Sequence, residues 1–270
     1  MTSPECFFSL DPRSYTLHVN SPDDSLPFVK GAPFFAFYWQ NGRLYRLPEQ
    51  PPKSSVGEWQ PVPSPLGSLL AVSHHFAPDR QGVVLTITLA TCADRPLFFW
   101  KLAIENQGKL PITVDHFALM QVALSDMGLD VADDLAFHAN GWQSWSHTAT
   151  YGAAQKQRQS VLGPLQCPMV YNDSTPRLRG RGHFSSDFFA VLGSRRKRTA
   201  LLTGFLSQQQ QFGSVVANLK STGRLHLIAS GDHARLDPGC TMETDWAVLF
   251  PFHVDQPDAL APYFQAVADW

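Results

Sequence analysis

The sequence is short of charge. Lys, Arg, Asp and Glu make up 16 % of its 270 residues, against a usual quarter, and the formal net charge is −2. So weak a field argues against nucleic acid, whose phosphates need clustered positive charge. Cysteine is also scarce. Cys6, Cys92, Cys167 and Cys240 lie far apart, with no CxxC pair and no metal-ligand spacing. That argues against a disulfide framework and for reduced, mostly buried thiols in a cytoplasmic protein. No run of about 18 apolar residues exists, so no spanning helix and no membrane partner is expected. The N-terminal MTSPECFFSLDPRSYTLHV lacks the basic start and apolar core of a signal peptide. GxSxG, P-loop and dinucleotide patterns are missing, and no cofactor or metal is expected.

What the chain has in quantity is aromatic residues, with nineteen Phe and seven Trp, and alternation with a period of two. In GVVLTITLAT (82–91), Leu85, Ile87 and Leu89 share one face and Thr86 and Thr88 the other. In PLFFWKLAIENQG (96–108), Phe98, Trp100, Leu102 and Ile104 alternate with Phe99, Lys101, Ala103 and Glu105. ITVDHFALMQVAL (112–124) continues the pattern, and the intervening NQGKLP has the Gly and Pro of a hairpin turn. Further strands are expected over 187–193, 199–207, 212–219, 223–230 and 242–252. Short strands divided by turn signals, without helical stretches between them, predict an antiparallel sandwich.

Two regions break the pattern. The Pro-rich 47–67 is unsuited to a central strand, because proline removes ladder donors, and reads as a surface loop with Trp59 as a pin to the body. Residues 255–270 place Leu260, Tyr263, Phe264 and Val267 at helical spacing, with Asp255 or Asp258 available as a cap and Pro262 tolerable only in the first turn. Nothing at Asp269–Trp270 marks a helix end, so a continuing polypeptide is expected, together with an exposed apolar patch around Tyr263, Phe264 and Val267.

One stretch concentrates binding chemistry. FHANGWQSWSHTATY (137–151) sets Trp142 and Trp145 among Asn140, Gln143, Ser144 and Ser146, with His138 and His147 flanking and Gly141 allowing a sharp turn. A sugar has a C–H face and a hydroxyl rim, so its site needs flat rings together with fixed donors and acceptors. Trp142, Trp145, Asn140, Gln143 and His138 are therefore the candidate substrate-binding residues. The alternative is that both tryptophans anchor an irregular loop in the core.

NGWQSWS (140–146) resembles the Asn-Gly-(aromatic)-Gln-Ser-Trp-Ser signature in the N-terminal domain of glycoside hydrolase family 36, the α-galactosidases and their relatives. SSDFFAVL (185–192), GFLSQQQQFG (204–213), LIASGD (227–232) and DPGCTMETDWAVL (237–249) resemble the segments that follow there, in the same order. The resemblance implies an antiparallel β-supersandwich over 1–254 and, over 255–270, the start of a linker helix leading to a (β/α)₈ catalytic barrel. It implies that two barrel aspartates act with retention of configuration, about 5–5.5 Å apart. It also implies that the barrel is the partner, that α-galactosides reach the chain through the complete enzyme, and that a homo-oligomer is possible. No catalytic residue is then assigned here: Asp11, Asp126, Asp130, Asp133, Asp134, Asp187, Asp232 and Asp245 are all left out, and the chain alone is expected to be inactive. The competing readings are a stand-alone carbohydrate-binding module and a structural or oligomerisation domain.

Weaker signals have plainer readings. His74 and His75 face opposite ways on a strand, which disfavours a shared metal. RRKR (195–198) reads as a charged hairpin tip, Gln208–Gln211 as a polar loop or strand edge, and DVADD (130–134) as an acidic loop without the Gly and Glu of a calcium loop.

Overall fold

The computed structural model describes residues 8–11, 13–20, 23, 25–49, 57–92, 95–130, 134–141, 146–158, 174–176, 178–220 and 222–270. They form a mainly β structure of three antiparallel sheets and one C-terminal helix. A small sheet joins β1 (Phe8–Asp11), β2 (Thr16–Val19) and β3 (Val29–Pro33). A seven-stranded sheet runs in the order β13 (His183–Asp187), β16 (Gly213–Asn218), β17 (Arg224–Ser230), β10 (Ile112–Ala123), β4 (Phe35–Gln40), β5 (Arg43–Leu47), with β18 (Arg235–Leu236) also on β10.

A ten-stranded sheet faces it. The order is β12 (Ala149–Gly152), β11 (Leu135–Ala139), β14 (Phe189–Ser194), β15 (Thr199–Phe205), β20 (Ala247–His253), β9 (Arg95–Asn106), β8 (Val83–Cys92), β7 (Gly67–His75), β6 (Gln60–Ser64). The last of its strands, β19 (Thr241–Glu243), pairs with β9.

The alternation seen in the sequence decides which side chains enter which layer. Phe98, Trp100, Leu102 and Ile104 of β9 join the main core between the two large sheets, while Leu97 and Phe99 face outward. On β20, Ala247 and Leu249 point in and Val248, Phe250 and Phe252 point out. The central strands of the large sheet are therefore apolar on both faces, and the outer face needs its own cover. Helix α1 (Ala261–Asp269) supplies it, burying Tyr263 and Ala266 against Phe189, Val248 and Phe250. The Tyr263 hydroxyl donates to Phe205 O at 2.9 Å, and Arg95 of β9 holds Asp269 at 2.5 Å.

Several expectations need correction. NQGKLP is not a hairpin turn: β9 and β10 lie in different sheets, and the segment carries the chain between them. Fully buried Asn106 organises this crossing, its Nδ2 donating to Leu110 O (2.9 Å) and Leu236 O (3.0 Å) while its Oδ1 accepts from Gly108 N (3.0 Å). The expected 187–193 strand is divided at Phe188, whose φ of +70° moves the chain from the seven-stranded sheet into the ten-stranded one. The expected 242–252 strand is likewise split, by Thr244–Trp246.

The Pro-rich region is not all loop, because Gln60–Ser64 forms the edge strand β6, exposed enough that Pro61 and Pro63 cost no central ladder bond. Trp59 packs partly on the core, and 50–56 lie outside the described residues.

The helix starts without a side-chain cap. Leu260 occupies the cap position and Pro262 falls in the first turn. Asp255 is bonded to Arg198, and Asp258 offers its carbonyl to Ala261 N at 2.7 Å. The expected apolar patch shrinks, since Tyr263 is fully buried, Val267 packs partly and only Phe264, at 47 % exposure, stays open. Of the cysteines, Cys92 is half-buried and Cys240 exposed, contrary to the expectation of mostly buried thiols, while Cys6 and Cys167 lie outside the described residues. Among the described residues no helix is long and apolar enough to cross a membrane.

Candidate functional site

The Trp-rich segment leaves the fold at the β11–β12 hairpin, at one end of the large sheet. In β11 Leu135, Phe137 and Ala139 are buried, and Phe137 stacks on Phe184 (5.7 Å, 14°), which stacks in turn on Tyr151 of β12 (5.2 Å, 13°). This aromatic ladder fixes the hairpin to β13 of the opposite sheet. His138 faces the other way, toward the outer surface, where its Nδ1 lies 3.0 Å from the Thr150 hydroxyl across the pair. Burial lowers the pKa of its imidazole, favouring the neutral ring.

Beyond β11 the chain is clamped at Asn140. Its N–H donates to Ser186 Oγ (2.7 Å), its Nδ2 donates to Asp187 O (3.0 Å), and its carbonyl accepts from Asp187 N (3.1 Å). Ser186 Oγ donates onward to Phe189 O at 2.5 Å, so the clamp reaches both sides of the crossing at Phe188. Next to it Gly141 N donates to Thr148 Oγ1 (3.0 Å), and a Cβ at 141 would lie 2.6 Å from Ser146 Cβ. Glycine is required there, because the two ends of the segment touch. Trp142, Gln143, Ser144 and Trp145 lie outside the described residues. The structure therefore places Asn140 and His138 at the root of the segment, Asn140 as its anchor and His138 on the outer face. His147, Thr148 and Thr150 line, with Lys156, Arg158 and Arg181, a polar groove of about 660 Å³ beside this root.

Asp187, within SSDFFAVL, belongs to this corner, and the sequence pattern does not show that it meets Asn140. Its carboxyl accepts from the Thr175 hydroxyl, and burial raises its pKa above the ordinary carboxylate range despite that bond. An acid whose folded pKa exceeds its unfolded one takes up a proton on folding. Stability then falls as pH rises from the ordinary value to the raised one and stays reduced above it. Asp187→Asn, which keeps an acceptor for Thr175, is expected to melt at or above the parent temperature at neutral pH and level with it in acid. Thermal melts across that range check this; a loss confined to neutral pH would contradict it.

Among the described residues the two buried carboxylates, Asp79 and Asp245, are occupied by bonds within the fold. Asp79 accepts from the Tyr38 hydroxyl and from Gln81 N and Val83 N, both at 2.9 Å. Asp245 accepts from Ser207, Gln210 N (2.9 Å) and Gln211 N (3.2 Å), which orders the glutamine loop.

Arg195–Arg198 form the tip of the β14–β15 hairpin, and its charges meet acids and carbonyls: Arg198 grips Asp255, Arg195 lies 3.7 Å from Asp134, and Lys197 donates to Gly128 O. His74 is buried and His75 exposed on opposite faces of β7. Of the acidic loop, 131–133 lie outside the described residues. Among the described residues no three His, Cys, Asp or Glu are grouped to share a metal ion.

No family model matches the sequence, and no curated protein matches it either. Similar solved structures exist. The GH36 α-galactosidase AgaB of Geobacillus stearothermophilus aligns with a TM-score of 0.53 at 10 % identity over 96 % of this chain and 42 % of its own. Two variants of AgaA from the same organism, one in complex with raffinose and one with 1-deoxygalactonojirimycin, align with TM-scores of 0.52 and 0.53 at 10 % and 11 % identity, over 96 % of this chain and 36 % of theirs. The chain thus spans little more than a third to two fifths of these relatives, and it has the fold of part of a GH36 α-galactosidase.

Proposed function

We propose that this chain is the non-catalytic β-supersandwich portion of an α-galactosidase-like retaining glycoside hydrolase that cleaves terminal α-galactosides. In this reading residues 1–254 form the N-terminal domain and 255–270 lead to a (β/α)₈ barrel, which supplies the nucleophile and the general acid/base. The observation that carries it is the alignment of 96 % of this chain on about a third of AgaA, a protein solved with raffinose. The NGWQSWS segment supports it independently, and so do the carboxylates of Asp79, Asp187 and Asp245, which the fold itself engages.

The sandwich braces the barrel, and the segment rooted at Asn140 borders the sugar pocket, with Trp142 or Trp145 as its platform and Gln143 and His138 beside it. A cytoplasmic location and assembly into a homo-oligomer belong to the same proposal. Reading the gene past codon 270 tests it. A continuing frame with eight βα units carrying strand-end aspartates is expected; an immediate stop codon would overturn it. In the complete enzyme, alanine at the platform tryptophan raises KM and leaves the melting temperature in place; a collapse of melting temperature would assign both rings to the core instead.

A further inference from the structure

We propose that the outer face of the seven-stranded sheet carries a second saccharide-binding surface, built on Phe35, Phe37 and Trp39 of β4 and held in shape by Asp115. The choice of ligand comes from the chemistry of this face and does not depend on the reading above.

β4 alternates strictly. Ala36, Tyr38 and Gln40 are buried, so Phe35, Phe37 and Trp39 all emerge on the outer side, where Trp39 is 37 % exposed. Three rings at alternate positions of a strand next to the sheet edge would normally be free to turn. Here each is fixed. Phe37 stacks flat on His116 at 4.4 Å and 13°. The Arg46 guanidinium lies 4.7 Å above the Phe35 ring. The Trp39 indole N–H donates to Asp115 Oδ1 at 2.9 Å, and the other oxygen of that carboxylate is 2.6 Å from His116 Nδ1.

Asp115 reaches this face only because β10 bulges there. Trp39 pairs with Thr113, Tyr38 with Val114 and Phe37 with His116, leaving Asp115 as the extra residue. The neighbouring strand end is shaped to the bulge: Gly231 N donates to Asp115 O at 2.8 Å, and a Cβ at 231 would lie 2.6 Å from Val114 O and 2.8 Å from Asp115 O. The bulge turns two polar side chains, Asp115 and His116, to the same side as the rings.

The charges choose among ligands. Asp115 has His116 against one oxygen and His233 3.7 Å from the other, and Arg46 rests on a ring, so the face has no single-sign field to attract an ion. Rings and an arginine are also common in protein interfaces, but the carboxylate of Asp115, bonded to Trp39 in the middle of this face, is not, because acidic groups are depleted from the centre of such interfaces. Fixed planar groups interleaved with a carboxylate, imidazoles and a guanidinium match a neutral saccharide, whose C–H faces lie on rings while its hydroxyls meet donors and acceptors.

Affinity electrophoresis of the 270-residue chain in native gels containing galactomannan, dextran or xylan tests this. At least one polysaccharide should retard the chain. Trp39→Ala should weaken that retardation about tenfold, the scale of losing one aromatic stacking contact, with an unchanged melting temperature. Phe37→Ala serves as the second variant should Trp39→Ala fail to fold. Alanine at Trp142 and Trp145 should leave the retardation intact, which separates this surface from the hairpin segment and from the proposed pocket. Three results would overturn the inference: no retardation by any of the three polysaccharides, retardation indifferent to both Trp39 and Phe37, or a Trp39→Ala effect that sedimentation traces to loss of a dimer.

Discussion

Asp79→Ala is expected to remove about 3–4 kcal/mol of folding stability, the range for emptying one side of a buried hydrogen-bonded network, and to lower the melting temperature by roughly 10 °C. Asp79 sits just before β8 in the ten-stranded sheet and is 7 % exposed. Its carboxylate orders the turn through Gln81 N and Val83 N and reaches across the core to the Tyr38 hydroxyl on β4. Burial and the facing carboxylate both push the Tyr38 phenol above its ordinary pKa, so it stays a donor at any physiological pH. Alanine would strand that hydroxyl and the Val83 N–H in the interior and release the half-buried Gln81 N–H. Tyr38→Phe removes one donor only and should cost about 1–2 kcal/mol. Since the two act as one clamp, the double variant should cost clearly less than the sum of the singles. Urea melts of all four proteins decide this, and an Asp79→Ala loss below about 1 kcal/mol would show that the sheets need no such tie.

Tyr263→Ala is the second large effect, about 3–5 kcal/mol by analogy with other buried aromatic truncations. Tyr263 is fully buried, packs on Phe189 with ring centroids 5.4 Å apart and bonds Phe205 O. Removing it opens the middle of the layer between α1 and the outer face of the sheet. What is left to hold the helix is the Arg95–Asp269 ion pair, the Ala266 contact, the edge-on packing of Phe264 on Phe189 and the partly buried Val267 and Trp270. Hydrogen exchange should locate the damage: amides of Ala261–Asp269 should exchange much faster, and those of β11 and β12 should keep their parental rates. Uniform loosening of every strand would mean that the helix is no separate layer. Tyr263→Phe, which loses only the hydroxyl, should cost about 1 kcal/mol and leave the helix docked.

The strands over 82–124 and 199–230 are legible in the sequence, those over 8–75 and 135–152 are not, and the pairing of all of them is hidden, for local reasons. Alternation in 83–123 places Phe98, Trp100, Leu102 and Ile104 on one face correctly, because a strand buried on one side must repeat every second residue. The same alternation is silent on which strand lies alongside. NQGKLP has hairpin composition yet crosses between sheets, and the cause, a buried Asn106 binding Leu110 and Leu236 carbonyls, joins residues 130 positions apart. The break at Phe188 is hidden because an aromatic residue with φ of +70° has no composition signal. The burial of Tyr263 depends on an apolar outer face formed by Val248, Phe250 and Phe252 on another strand, which the helical spacing of 255–270 does not reveal.

The hairpin site was legible as chemistry and less so as geometry. Asn140 and Gly141 are needed for the close return of the chain, a role that neighbours in sequence cannot reveal, since it depends on Ser186, Asp187 and Ser146. The rings of β4 carry no such signal. FAFYW alternates, but both of its faces carry a ring, so only the partner strands tell that Tyr38 goes in and Phe35, Phe37 and Trp39 go out.

The proposed role is that of a sheet body that supports glycosidic bond cleavage without performing it. The direct measurement is turnover of a chromogenic α-galactoside by the purified 270-residue chain. The predicted rate is that of buffer alone. Robust, saturable release of the chromophore by this chain would contradict the account.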